Sequence, residues 1–232
     1  MAPSVSFGGP EAPLGPFSTV PFSRDPDFID NRGLCDRILE GCLRPASAIA
    51  LVGLGGVGKS QLAVECCYRI QEESPDKCVL WAHASNVARL QQSFQDIASL
   101  NRIPDHQDPN ANPVKLVSNW LRFRKWVLVL DNHDNDEFFY RGRSDGPPLI
   151  AFLPCGPNGS IILTTRDRHI ATKFANTNDI LQINPMDKLA ALSLVKRKLS
   201  YLGRQGEKDE KLLVKLVKLL ESMPLAIAQA TA

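Results

Sequence analysis

The stretch Ala48 to Ser60, AIALVGLGGVGKS, constrains this chain more tightly than any other. A short apolar run passes into glycines, then a lysine and a hydroxyl, the order expected of a strand feeding a phosphate-binding loop and a helix. In Gly53-x-x-x-x-Gly58-Lys59-Ser60 the glycines free successive backbone N–H groups to face phosphate oxygens, where no side chain is expected to fit. Lys59 would set a cation against the β- and γ-phosphates of a nucleoside triphosphate, and Ser60 would offer a hydroxyl to Mg2+. The helix opening here directs its positive end at the same anion. Gly55, Gly56, Val57, Gly58, Lys59, Ser60 and Gln61 are the expected phosphate cradle.

Gly53, Gly55 and Gly58 also spell the dinucleotide fingerprint G-x-G-x-x-G. That reading wants an acidic residue at the end of the second strand to hold a ribose. The candidate strand, Cys78 to Ala82, runs instead into His83-Ala84-Ser85. Lys59-Ser60 has no task in a dinucleotide site and an evident one in a triphosphate site, so the phosphate loop is the preferred reading. Its bland competitor is a glycine-rich turn beside an exposed lysine.

The chain is long enough for one well-buried domain and part of another, and 44% hydrophobic with 22% charged residues is ordinary globular composition. Net charge is +2, from 27 basic against 25 acidic residues, so no global field argues for nucleic acid or membrane binding. The cysteines at 35, 42, 66, 67, 78 and 155 lack C-x-x-C spacing and read as buried thiols. With no apolar leader and no long apolar run, a cytoplasmic, soluble protein is expected.

Six prolines within residues 1–26 predict a linker or extended arm that cannot sustain regular hydrogen bonding. Leu34, Ile38 and Cys42 then recur at helical spacing, and behind the phosphate loop Leu62, Cys66 and Ile70 mark one face of a helix that Pro75 ends. Strands are predicted at 78–82, 126–130, 159–166 and 180–183, with helices at 87–97 and 114–122 between them. Alternation of this kind predicts a three-layer α/β/α fold with a five-stranded parallel sheet, ligands lying at the carboxyl ends of the strands. From Met186 the pattern becomes purely helical, as at the start of a small helical subdomain. Its lysines, 196, 198, 208, 211, 215 and 218, read as a solvated face. The expected division is an arm at 1–27, a nucleotide-binding domain at 28–185 and a helical subdomain at 186–232, the last cut off inside a helix that begins near Leu225.

A triphosphate site needs a carboxylate near its metal ion, and Trp126 to Leu130 followed by Asp131 is how a buried strand delivers one. Ser60 and Asp131 are the expected metal-side pair. Asn132 can hydrogen-bond a water without taking its proton, which predicts slow turnover. Asp134 and Asp136 could substitute, although both read more simply as solvated loop carboxylates. Arg166, at another strand end, can reach a γ-phosphate, against the plainer reading of a surface ion pair with Asp167 or a neighbour. His133 and His169 read as loop residues, since no further ligands stand at metal spacing.

The succession GLGGVGKS, LVLDN at 128–132, GSIILTTR at 159–166 and SMPLAIA at 222–228 resembles the NB-ARC nucleotide-binding domain, the STAND-class signalling ATPase module, and PFSRDPDFID at 21–30 with LWAHASNVARL at 80–90 is similar to fungal NOD-like receptors. The resemblance covers about Phe22 to Ala232. It implies that Phe28, Ile29 and Arg32 lie by the adenine, that Thr165 and Arg166 form a sensor strand end with Arg166 facing the γ-phosphate, and that Pro224 and Leu225 lie beside the nucleotide. Three departures stand out: Asn132 replaces a second acidic residue, Asp30 and Asn31 separate Ile29 from Arg32, and Ser222-Met223 replace a Gly-Leu pair.

By resemblance the chain is expected to bind ATP or ADP with Mg2+ and to act as a switch. Slow hydrolysis would control self-association, with an effector and repeat domains elsewhere in the full-length protein. A winged-helix subdomain is expected beyond residue 232. Two rivals remain open: a working phosphohydrolase of broader nucleotide use, and a scaffold whose nucleotide is purely structural.

Overall fold

The computed structural model of the chain describes residues 15–30, 33–135, 148–200 and 210–231. Arg32 and Asp136, among the candidate site residues, and Lys208 lie outside them. Five strands, β1 (Ser47–Val52), β2 (Cys78–His83), β3 (Trp126–Asp131), β4 (Gly159–Thr165) and β5 (Ile180–Gln182), form a parallel sheet in the order β2-β3-β4-β1-β5. Helices α1 (Leu34–Leu43) and α2 (Lys59–Glu73) cover one face. The other face is covered by α3 (Val87–Leu100), α4 (Pro113–Leu121) and α5 (Arg168–Phe174). The predicted α/β/α architecture is the one observed.

The continuous apolar runs follow from burial on both faces. In β3, Val127 and Val129 enter the core beneath α1 and α2, while Trp126, Leu128 and Leu130 enter the opposite core. Strand β4 runs between β1 and β3, so the phosphate loop after β1 and Asp131 at the end of β3 stand two strand spacings apart, roughly 10 Å. The tip of β4 lies between them, with Thr165 in register with Val52.

After β5 the chain forms α6 (Lys188–Ser200), α7 (Glu210–Leu219) and α8 (Pro224–Ala230). These pack on one another around Ala191, Leu192, Val195, Val217 and Ile227. Leu189, in the first turn of α6, is exposed. No helix among the described residues is long and apolar enough to cross a membrane.

The N-terminal arm departs from expectation. Thr19 N–H donates to the Val79 carbonyl and Val79 N–H to that of Phe17, each at 2.9 Å, so the arm pairs in parallel with the free edge of β2. Pro16 and Pro21 flank this paired stretch, which keeps their missing N–H groups out of the ladder. Cys155 is exposed, against the reading of all six cysteines as buried, because it stands in the turn before β4 rather than on a packed element. His169 opens α5 rather than a loop, its N–H capped by the Asp167 carboxylate at 2.7 Å, whereas His133 follows β3 outside any helix or strand and is buried.

Candidate functional site

The phosphate loop owes its path to its glycines. Gly56 and Gly58 hold φ of 82° and 94°, the left-handed region that side chains disfavour, and α2 begins immediately afterwards. A Cβ on Gly53 would overlap the carbonyl oxygen of Ile183, just beyond β5. At Gly55, by contrast, a Cβ would meet no protein atom within 4 Å.

Lys59 is 7% exposed, and its ammonium donates to the carbonyl oxygens of Gly53 and Leu54, both at 2.8 Å. Burial pushes its pKa down, opposed by the carboxylates of Asp134 and Asp131 and reinforced by the Arg166 charge. A buried cation at the mouth of a helix N-terminus is poised to gain from an anion.

Ser60 Oγ donates to Asp131 Oδ1 at 2.8 Å, joining the first turn of α2 to the end of β3. Asp131 is 3% exposed, and the same oxygen accepts from Thr164 Oγ1 at 2.7 Å. Thr164 also fixes the turn beyond. Its hydroxyl accepts the Asn132 N–H at 2.9 Å and its carbonyl accepts the His133 N–H at 2.9 Å. Asn132 has φ of 62°, a conformation asparagine adopts more readily than most residues, and its side-chain amide reaches Asp131 Oδ2 at 3.3 Å. Thr164 was not foreseen, because a threonine within a buried strand gives no sequence sign that its hydroxyl meets a neighbouring strand.

Arg166 does pair with a carboxylate, but with Asp134 rather than Asp167. Its backbone N–H donates to Asp134 Oδ1 at 2.7 Å and its Nε to Oδ2 at 2.6 Å. Asp134 is therefore no freely solvated loop residue. Asp167 serves instead as the cap of α5.

These groups share the wall of one cavity of about 720 Å³. The loop from Gly55 to Gln61 lines it, together with Asn132, Asp134 and Arg166. Phe28 and Ile29, just after the arm, and Pro224 and Leu225 from α8 complete the lining. Val57 is buried in the core beneath α1 and α2. Asp131 sits behind the wall and is tied to it through Ser60. The described candidates from five separate stretches of the chain are thus brought together.

Two further lining residues escaped the sequence reading. Asp27, 4% exposed, accepts from Lys198 Nζ at 2.6 Å, and Asp25 stands 3.9 Å from the same nitrogen. Lys198 therefore belongs to the cavity and not to a solvated helix face. Beside it Arg197 Nη1 reaches the Phe28 carbonyl at 3.3 Å. Phe28 packs toward the core under α1 and α2, and Ile29 packs on the helical cluster, so residues 27–29 bridge both bodies. A coil segment carries no periodicity that could have announced this.

The residues fit a nucleotide with a divalent cation. Left-handed glycines and a helix N-terminus form the anion cradle, and a hydroxyl beside a carboxylate is an oxygen donor pair suited to Mg2+, which keeps its other positions for water and phosphate.

Fold and site together define a P-loop NTPase: a parallel sheet whose phosphate loop, acidic strand end and arginine-bearing strand end converge on one edge. The NB-ARC domain family matches residues 32–201, and the chain belongs to that family of nucleotide-binding modules. It is 30% identical over 228 residues to a nucleotide-binding leucine-rich repeat (NLR)-like protein of Hyaloscypha variabilis, a match covering 92% of this chain but only 23% of that protein. Among solved structures it is similar in fold to a Signal Transduction ATPase with Numerous Domains (STAND) protein with a tetratricopeptide repeat sensor from Pyrococcus horikoshii, at 16% identity and a TM-score of 0.52, covering 88% of this chain and 30% of that one. Domain III of the replication initiation protein DnaA from Thermotoga maritima is likewise similar, at 14% identity and a TM-score of 0.53, covering 90% of this chain and 88% of that one.

Proposed function

We propose that this chain is the ATP/ADP switch of a fungal NLR-like receptor, with slow Mg2+-dependent hydrolysis and a helical cluster whose seating on the phosphate loop depends on the nucleotide. One observation carries the reading: the phosphate loop and α8 line a single cavity and are hydrogen-bonded to each other, Leu225 N–H to Gly56 carbonyl at 3.2 Å. A ligand bound there touches both bodies, so it can favour one arrangement of them over another.

In this reading residues 28–185 are the nucleotide-binding domain and 186–232 the start of the helical subdomain. The backbone from Gly55 to Gln61 holds the phosphates, and Lys59 balances their charge. Ser60 and Asp131 would hold Mg2+, which would supply charge neutralisation to the phosphates. Asn132 orients water without acting as a base, Arg166 senses the γ-phosphate, and Phe28, Ile29, Pro224 and Leu225 enclose the base. Arg32 belongs to this set by resemblance. The triphosphate state would permit self-association through the nucleotide-binding domain of a cytoplasmic receptor in immunity and programmed cell death, with effector and repeat domains as its intramolecular partners.

The deciding experiment is to denature the purified protein and identify released nucleotide by chromatography, alongside Lys59→Ala and Asp131→Ala. ADP released by the wild type and absent from the lysine variant is the expected result. A protein that carries no nucleotide and binds none added with Mg2+ would overturn the reading.

A further inference from the structure

The Asp134 carboxylate occupies two donors of Arg166, the backbone N–H and Nε, and receives a longer contact from Thr165 Oγ1 at 3.4 Å. It reaches this place because the left-handed Asn132 reverses the chain after β3, with Asp134 N–H returning to the Asn132 carbonyl at 3.0 Å. Asp134 lies on the cavity wall with Lys59, and of the two carboxylates that oppose the burial of Lys59 it outweighs Asp131. Lys59, Arg166 and the Asp134 carboxylate thus line one cavity, and the charges of the latter two act on Lys59.

We propose that Asp134 stands in for the γ-phosphate: it holds Arg166 when a nucleoside diphosphate is bound and must yield that arginine when a triphosphate enters, so this carboxylate sets the discrimination between the two. The proposal rests on the nucleotide-switch reading above and adds the residue that biases it.

The physical argument is competition between anions. A terminal phosphate facing Lys59 and Arg166 comes close to the Asp134 carboxylate, and like charges at that range in a partly desolvated cleft repel. The Arg166 Nε–H cannot serve both acceptors at full strength. A diphosphate ends at its β-phosphate, short of this contest, and keeps the Asp134 to Arg166 pair intact. The carboxylate thus penalises the triphosphate selectively, and a ligand shifts a two-state element only by such a difference in affinity.

The test is calorimetric titration of the purified chain with ADP and with a non-hydrolysable ATP analogue, both with Mg2+, in wild type, Asp134→Asn, Arg166→Ala and the double variant. The Asn side chain keeps an oxygen for the Arg166 N–H while removing the charge. Expected is a tightening of the triphosphate analogue by about fivefold or more with ADP changed by less than about twofold, and loss of that selective gain in the Arg166→Ala background. Asp134→Ser, checked for folding by thermal melt, gives the same reading if the Asn variant does not fold. Equal tightening of both ligands would reduce Asp134 to a general charge effect, and weaker triphosphate binding would make it a residue that aims Arg166; either overturns the proposal. Wild type that binds neither ligand overturns the switch reading itself, and this proposal with it.

Discussion

Leu225 and Gly56 meet through main chain and side chain at once: the Leu225 N–H bonds the Gly56 carbonyl, and a Cβ on Gly56 would stand 3.3 Å from the Leu225 Cβ. The helical cluster therefore rests on the phosphate loop with no room to spare, at a glycine whose φ is 82°. Gly56→Ala is expected to lower stability by about 1–2 kcal/mol through backbone strain and to weaken this contact. Urea unfolding measures the first effect, and protease sensitivity between residues 183 and 224 measures the second.

The loop glycines are not equivalent. Gly53→Ala forces a methyl into the Ile183 carbonyl and should cost roughly 2 kcal/mol or more, whereas Gly55→Ala points into open space and should stay within about 0.5 kcal/mol of wild type. Equal melting temperatures for the two variants would contradict the geometry.

Lys59→Ala leaves the loop path intact and removes the cation. Nucleotide affinity is expected to fall roughly 100-fold, as for loss of a strong charge-assisted contact. Unfolding stability should change little or rise, because a buried ammonium is removed together with its two carbonyl contacts. Fluorescent-nucleotide titration and thermal melts read the two quantities separately.

Thr164→Val keeps the shape of a fully buried side chain while deleting the hydroxyl between Asp131 and Asn132. The cost should be about 1–3 kcal/mol, and Thr164→Ser should recover much of it. A further readout is Mg2+: the affinity gained on adding it to nucleotide should shrink in the Val variant, since Asp131 is then held by fewer partners.

Glu65 on α2 takes a bidentate contact from Arg24 on the arm at 2.8 and 2.9 Å, with Arg69 adding a third. These hydrogen bonds, Arg24 first, hold its carboxyl below the ordinary value of 4.5 against the opposing effect of burial. A depressed carboxyl stabilises the fold fully above its unfolded value and loses that contribution as pH falls through the folded one. Glu65→Gln should cost about 1 kcal/mol at pH 7, modest because Arg24 is partly solvated, and the gap to wild type should close as pH drops below about 4.5. A gap that does not begin to narrow as pH falls below about 4.5 would mean packing, not charge, ties the arm to α2.

Several elements were legible because their signals are contiguous. The run from Ala48 to Ser60 writes strand, loop and helix in one stretch, and Trp126 to Asp131 writes a buried strand with its carboxylate at the tip. The predicted strands and the parallel sheet were likewise carried by local periodicity, with ends correct to within a residue or two. Cys155, His169 and Lys198 were misread for a common reason: a residue type suggests an environment, but only its packed neighbours supply one.

By itself, then, the sequence determined the phosphate loop, the strand that carries Asp131, the strand that carries Arg166 and the family to which they belong, because each is encoded in residues adjacent along the chain. Only the tertiary structure decided which groups meet. It put β4 between β1 and β3, which brings the Thr164 hydroxyl to Asp131. It laid the proline-rich arm along β2 and carried Asp27 to Lys198 over a separation no local pattern spans. It also gave Arg166 to Asp134 rather than to its own neighbour Asp167, whose carboxylate was already committed to capping a helix. Those pairings depend on crossover connections closing around one core, and a contact made that way leaves no period or spacing in the chain to read.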